Sequence, residues 1–400
     1  MSKKIAFVVQ RYGLEVNGGA ELHCRQLVEH LMPFYDIEVL TTKAVDYVTW
    51  KNEYKNSVEQ IHGVTVRRFN VLKTRNMGKF NRLSAQVIGV PHKEELEAEW
   101  FDSQGPYCPD LITYIEKHEQ DYDVFVFMTY LYYTTVKGLP KAAHKAVLIP
   151  TAHDEPPIYL QYFYKMFKMP QGIFYNTIEE KEFIEGRFHN GNVLNNGGYG
   201  GVGVEIPEKI DKDELKRTKG IDNYIVYVGR IDEAKGCRQM FEYYTRYKEN
   251  NPQQADLKLV LMGKPVIDIP DRKDIVSLGF VSDDTKFNVM AGAKFLLMPS
   301  QFESLSMVVL ESLTLGVPVL VNGRCLVLRG HCIHGNAGLY YQSFYEFEGC
   351  MNYLLSHERE RMMMGQNGQQ YVENNYTWTT IVDRFRDMLE KVCEDQAKRY

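Results

Sequence analysis

Short runs rich in β-branched and aromatic residues alternate with helical stretches along all 400 residues, and this alternation limits the architectures open to the chain. In the first half the runs are Ile5–Val9, Ile37–Thr41, Val64–Phe69, Val124–Met128, Ala146–Ile149 and Gly172–Tyr175. In the second they are Tyr224–Val228, Lys258–Met262, Ile275–Leu278, Lys294–Met298 and Val317–Val321. Strands that alternate with helices build parallel βαβ units. So many units exceed one ordinary core, and two doubly wound α/β sheets in series fit better than one very wide sheet.

Between the halves lies NVLNNGGYGGVGVEIP, residues 192–207, with five glycines from Gly197 to Gly203. So much glycine predicts a hinge or a loop of close backbone approach. The segment Gly198–Gly203 also matches G-x-G-x-x-G, which marks a dinucleotide site only between a strand and a helix. Val204-Glu205-Ile206-Pro207 follows and does not open a helix cleanly, so an interdomain linker is expected rather than an NAD site.

The charge balance narrows the function classes. A net charge of −5 argues against nucleic acid as the main partner. No apolar run reaches the roughly 18 residues of a membrane span, and Ile5–Val9 ends in Gln10-Arg11 too soon for a signal peptide. The seven cysteines form no C-x-x-C pair, which predicts neither disulfide framework nor zinc ribbon. Cys332 lies near His331 and His334, but without a second ligand pair no metal is expected there. A cytoplasmic, reduced chain is the expectation.

Three stretches carry chemistry. Gly18-Gly19 follow the first strand and open a helix, either to let a phosphate approach free N–H groups or simply to sharpen the turn. In YVGRIDEAKGC, Arg230 and Lys235 follow a strand whose C-terminal end faces the ligand crevice of a doubly wound sheet. Two cations there suit a diphosphate, or else are solvated surface charges. In PSQFESLSMVVLESLTLGVPVL, Glu303 lies in a loop and Glu311 among apolar residues of a helix from about Ser306. An unpaired buried carboxylate is costly, so Glu311 needs either a neighbouring cation or a polar ligand such as a sugar diol.

Arg230…Lys235-Gly236, Gly279-Phe280-Val281, Glu303-x7-Glu311 and Gly316-x-Pro318 together resemble the retaining glycosyltransferases of family 4. Gly18-Gly19-Ala-Glu, Tyr376-x-Trp378 and an amphipathic closing helix extend the resemblance over essentially the whole chain. It implies the GT-B fold: two Rossmann-like domains facing each other across a cleft, with the last helix packing back on the N-terminal one. Residues 1–200 with 378–400 would bind the acceptor, and residues 201–377 the nucleotide sugar. Arg230 and Lys235 would hold the diphosphate, and Gly18 and Gly19 would border it. Glu303 would hold the donor sugar's hydroxyls, Ser304, Leu305 and Ser306 would belong to the nucleotide-sugar site, Glu311 would hold the ribose, and backbone at Gly279 and Phe280 would border the base. His153, just past a strand in AVLIPTAHDEPP, would contact the donor sugar or the leaving phosphate. Its neighbours Asp154 and Glu155 are expected to be helix caps before Pro156, and the loop DSQGPYCPD, residues 102–110, to touch the acceptor.

The resemblance thus implies transfer of a sugar from a UDP- or GDP-sugar to a glycan, lipid-linked or other hydroxyl acceptor, in cell-envelope polysaccharide synthesis. The resemblance implies same-face attack without a required metal or other cofactor, and no carboxylate pair in the N-terminal half stands out as nucleophile and acid. A nucleotide-sugar epimerase on the same fold is the alternative, and an NAD-binding oxidoreductase a weaker one. From Gln60 to Lys93 there is no acidic residue, while Arg67, Arg68, Lys73, Arg75, Lys79, Arg82 and Lys93 are basic. Phe80, Leu83 and Val87 recur there at helical spacing. Residues 67–90 therefore either pack a helix on the first sheet or contact the inner face of an anionic membrane peripherally.

Overall fold

A computed structural model describes residues 2–16 and 18–397. The chain divides into two compact units, residues 1–202 with 378–400, and residues 203–377. The first holds β1 (Lys4–Val8), β2 (Asp36–Thr42), β3 (Val58–Ile61), β4 (Val64–Phe69), β5 (Val124–Met128), β6 (Ala146–Ile149), β7 (Gly172–Ile173) and β8 (Leu194–Asn195). Their order is β3-β4-β2-β1-β5-β6-β7-β8. Only β3 runs antiparallel, joined to β4 by a two-residue turn. Both turn residues, His62 and Gly63, have positive φ (48° and 86°), as a type I′ hairpin requires.

The second unit holds β9 (Tyr224–Val228), β10 (Lys258–Met262), β11 (Ile275–Gly279), β12 (Leu296–Met298), β13 (Val319–Asn322) and β14 (Gly338–Tyr341). Their order, β11-β10-β9-β12-β13-β14, is the doubly wound 3-2-1-4-5-6 arrangement, with every pair parallel. Central strands such as Val124–Met128 and Tyr224–Val228 are buried at every position, because helices cover both faces of a parallel sheet.

The closing helix, Trp378–Ala397, belongs to the first unit. Its stripe Ile381, Phe385, Met388 and Leu389 is buried. Phe385 stacks on Phe7 of β1 at 6.2 Å and meets Phe174 edge-on at 4.8 Å.

The glycine-rich segment packs tightly. A Cβ at Gly200 would lie 2.1 Å from the Tyr175 carbonyl, and one at Gly198 2.7 Å from the Ile178 backbone. No helix follows it before Glu214, so the strand–glycines–helix context of a dinucleotide site is missing.

Candidate functional site

Ligands of doubly wound sheets bind outside the strand C-termini where the strand order reverses. In the second unit that point lies between β9 and β12. Gly229 and Gly263, which end β9 and β10, adopt φ of 146° and 148°, a region essentially reserved for glycine. A Cβ on Gly263 would sit 1.9 Å from the Gly229 carbonyl, and the Gly263 N–H donates to Gly279 O at 2.8 Å. Three neighbouring strands thus end in bare backbone. Beyond them Phe280 is 84% exposed.

The loop after β9 carries the two expected cations, and both have acidic partners. Arg230 pairs with Asp232, whose other oxygen accepts from the Lys235 N–H at 2.8 Å. Lys235 Nζ donates to Glu303 Oε1 at 2.6 Å, joining the β9 and β12 loops across the reversal point. Gly236 makes this approach possible: with φ of 75°, its Cβ position lies 2.6 Å from the Pro299 carbonyl. Glu303 is thus only partly exposed, not a freely solvated loop residue.

After Glu303 and Ser304 the chain buries Leu305 and turns at Ser306, whose φ is 64°. The helix Met307–Thr314 starts there. Among the described residues the Met307 and Val308 N–H groups have no acceptor, and helix N-termini present such groups to anions.

Glu311 has a cation partner. Lys286 Nζ donates to its Oε1 at 3.0 Å, while its Oε2 is buried without a hydrogen bond. Burial raises the pKa of this carboxyl, and Lys286 pulls it part of the way back. The ion pair anticipated as an alternative therefore exists, and one oxygen remains to be satisfied.

In the first unit the order reverses between β1 and β5. Gly18 is extended, and a Cβ there would lie 2.1 Å from Glu21 Oε2, while Gly19 is open. Glu21 Oε1 accepts from Gln10 Nε2 at 3.0 Å and from Arg11 Nε and Nη2 at 2.8 and 2.6 Å. A side chain at position 18 would therefore displace the Glu21–Arg11 pair under the turn, whereas position 19 has room for one. Thr129 and Thr151, just past β5 and β6, have φ of 66° and 49°, strained values for β-branched residues and common at functional sites.

His153 follows Thr151, with Nε2 3.5 Å from Glu155 Oε2. The capping role expected of Asp154 and Glu155 is not found. Asp154 accepts from Tyr159 Oη at 2.5 Å, and Glu155 from Tyr130 Oη at 2.6 Å. Burial would raise the pKa of Glu155, but its bonds to His153 and Tyr130 hold it below the usual carboxylate range. Glu180 is fully buried and binds two backbone N–H groups, those of Ala152 and Asn176, both at 2.6 Å. The loop expected over 102–110 is mostly helical, since residues 102–104 end the helix Glu94–Gln104 and Pro109 opens the helix Pro109–Lys117, and Gln104 O accepts from Trp50 Nε1 at 2.8 Å.

Three of the seven basic residues in the segment are paired with acids outside it. Arg67 pairs with Glu38 at 2.7 Å, the fully buried Arg68 with Glu59, and Lys79 with Glu99 at 2.7 Å. The first two sit in β4, not in a surface helix. In the helix Met77–Val87, Leu83 and Val87 are buried and Phe80 lies against Trp100. Its apolar face is spent on packing, leaving Lys79 and Arg82 outward.

The structure thus joins Lys235 to Glu303 and ties Arg230 to the same loop through Asp232, whereas Glu311 answers to Lys286. Gly18, Gly19 and His153 belong to the first unit. Sequence reasoning missed Asp232 and Lys286. The first could be read from its place beside Arg230, but Lys286, 25 residues from its partner, left no local signal.

Residues 208–371 match the family model of the group 1 glycosyl transferases. A glycosyltransferase of Methanocaldococcus jannaschii, itself uncharacterised, is 24% identical over 410 residues, spanning 94% of this chain and 95% of that one. An N-acetylgalactosamine-N,N'-diacetylbacillosaminyl-diphospho-undecaprenol 4-alpha-N-acetylgalactosaminyltransferase of Campylobacter jejuni is 30% identical over 122 residues, 28% of this chain and 31% of its own length. Among solved structures, sucrose-phosphate synthase of Thermosynechococcus elongatus superposes with a TM-score of 0.68 at 14% identity, covering 98% of this chain and 99% of that one. Anabaena HepE in complex with UDP and glucose does so with 0.65 at 15% identity, covering 97% and 100%. Sheet order, strand-end geometry and these matches make the chain a glycosyltransferase of GT-B fold, its second unit matching the group 1 glycosyl transferases over residues 208–371.

Proposed function

We propose that this glycosyltransferase moves a sugar from a UDP- or GDP-sugar to a hydroxyl of a glycan or lipid-linked acceptor, with retention and by same-face attack. The observation that carries this reading is the Lys235–Glu303 pair at the β9/β12 reversal point. It sets a cation for the diphosphate directly beside a carboxylate for sugar hydroxyls. On donor binding Lys235 and Arg230 exchange their acidic partners for phosphate oxygens, where they stabilise the charge that develops on the leaving diphosphate. The unsatisfied N–H groups at Met307 and Val308 add to this. Ser304, Leu305 and Ser306 line the sugar. The open oxygen of Glu311 accepts from the ribose, Gly279 and Phe280 border the base, and the first unit offers His153 and the acceptor contacts.

Support for a nucleotide sugar comes from HepE, solved with UDP and glucose. Support for a lipid-linked acceptor comes from the undecaprenol named in the Campylobacter relative. The reading places the chain in cell-envelope polysaccharide synthesis at the inner face of the membrane. Any attraction to that surface would rest on the outward cations Lys73 and Arg82, since the apolar helix face is used internally and Lys79 is paired with Glu99.

A thermal-shift panel with UDP, GDP, ADP and NAD, each with and without magnesium, tests the donor class. A nucleotide at about 100 times its Kd should add about 2.7 kcal/mol and move the midpoint by several degrees. A shift with UDP or GDP and none with NAD is expected. A shift with NAD alone would overturn the reading.

A further inference from the structure

The turn that presents Glu303 is held from behind by the end of β13 and the segment that follows it. Asn322 Nδ2 donates to Pro299 O at 3.0 Å, and Cys325 Sγ lies 3.8 Å from Glu303 O. The deepest fastening is His331, on the helix Leu326–Gly335 and only 2% exposed. Its Nε2 lies 2.7 Å from Leu305 O, and its Nδ1 3.1 Å from Tyr371 Oη. A carbonyl oxygen can only accept, so Nε2 carries the proton. The Nδ1 lone pair of the neutral ring then accepts from Tyr371 O–H. Both nitrogens are committed, which removes His331 from any metal site with Cys332 or His334. Leu305 immediately precedes Ser306, the strained residue at which the chain turns into the helix carrying Glu311. A donor fixed on this one carbonyl resists relaxation of the turn.

We propose that His331 is a positioning residue for the donor sugar, fixing the Leu305 carbonyl and thereby the 303–306 turn that presents Glu303. The inference rests on the reading that this turn binds the sugar of the donor. A purely structural histidine would affect nucleotide and nucleotide-sugar binding alike. A positioning one affects only the part of the affinity that the sugar adds.

The test compares wild type, His331→Leu, His331→Gln and Glu303→Gln by calorimetric titration with UDP and with UDP-glucose. The quantity read is the ratio of the two dissociation constants. His331→Leu should bind UDP within about twofold of wild type but lose about tenfold of the UDP-glucose preference, the size of one hydrogen bond near 1.4 kcal/mol. His331→Gln, whose amide nitrogen can reach the same carbonyl, should restore most of the ratio. Should His331→Leu fail to fold, His331→Asn replaces it, because its amide stops short at the depth of Nδ1. A wild-type ratio in His331→Leu alongside a lost ratio in Glu303→Gln would overturn the positioning role alone. A wild-type ratio in Glu303→Gln as well would overturn the donor-sugar reading and this inference with it.

Discussion

Lys286 is what makes Glu311 tolerable among Val308, Val309 and Leu310, and its removal should expose the cost of burying that carboxylate. Lys286→Met leaves the carboxylate without its cation and should destabilise the second unit by about 3 kcal/mol, the scale for breaking one side of a buried pair. Urea denaturation measures this, and adding Glu311→Gln should recover most of the loss. A second prediction concerns His331, whose pKa is lowered to about 4, chiefly by burial. Between pH 6.5 and 4 the unfolded chain takes up a proton that the folded unit refuses, so stability falls as pH falls. From pH 7 to pH 5 the loss should be roughly 2 kcal/mol from this residue, and the urea midpoint of His331→Gln should lose that dependence. At this scale the residue types were legible: a carboxylate in an apolar helix demanded a partner, and two cations at a strand end suited an anion. Which partner could not be read.

Elements were more legible than partners because their signals are local. Val64–Phe69, Val124–Met128, Tyr224–Val228 and Lys258–Met262 form strands over the residues that their composition indicated. The strands that escaped were short or polar. Val58–Ile61 reads V-E-Q-I, and its hairpin turn uses His-Gly rather than the commoner Asn-Gly. Gly338–Tyr341 opens on glycine, and Leu194–Asn195 is two residues long. The 3.6-residue period of the closing helix was plain. Its landing place, against Phe7 and Phe174, is a property of the folded unit. Phe385→Ala should therefore cost the first unit about 3–5 kcal/mol, measured as a lowered urea midpoint. A cost below about 1 kcal/mol would mean that the helix contributes little to that core.

For the whole molecule the decisive outcome is the stereochemistry of transfer. With the donor selected by the thermal-shift panel, the product should keep the anomeric configuration of the donor sugar, read from the proton coupling constant at C1. An inverted product would remove same-face attack. The signals for strands and helices are contiguous in the chain, so the sequence alone determined a pair of doubly wound α/β units. The pairings that build the site and neutralise part of the basic segment are not contiguous. Lys235 meets Glu303 across 68 residues, His331 meets Leu305 across 26, and Arg67 meets Glu38 across 29. Charge attraction and hydrogen bonding depend on separation in space, and only the folded chain sets that separation. The tertiary structure therefore decided which basic residues were already neutralised, which carboxylate kept an open oxygen, and which buried histidine stands behind the turn at Glu303.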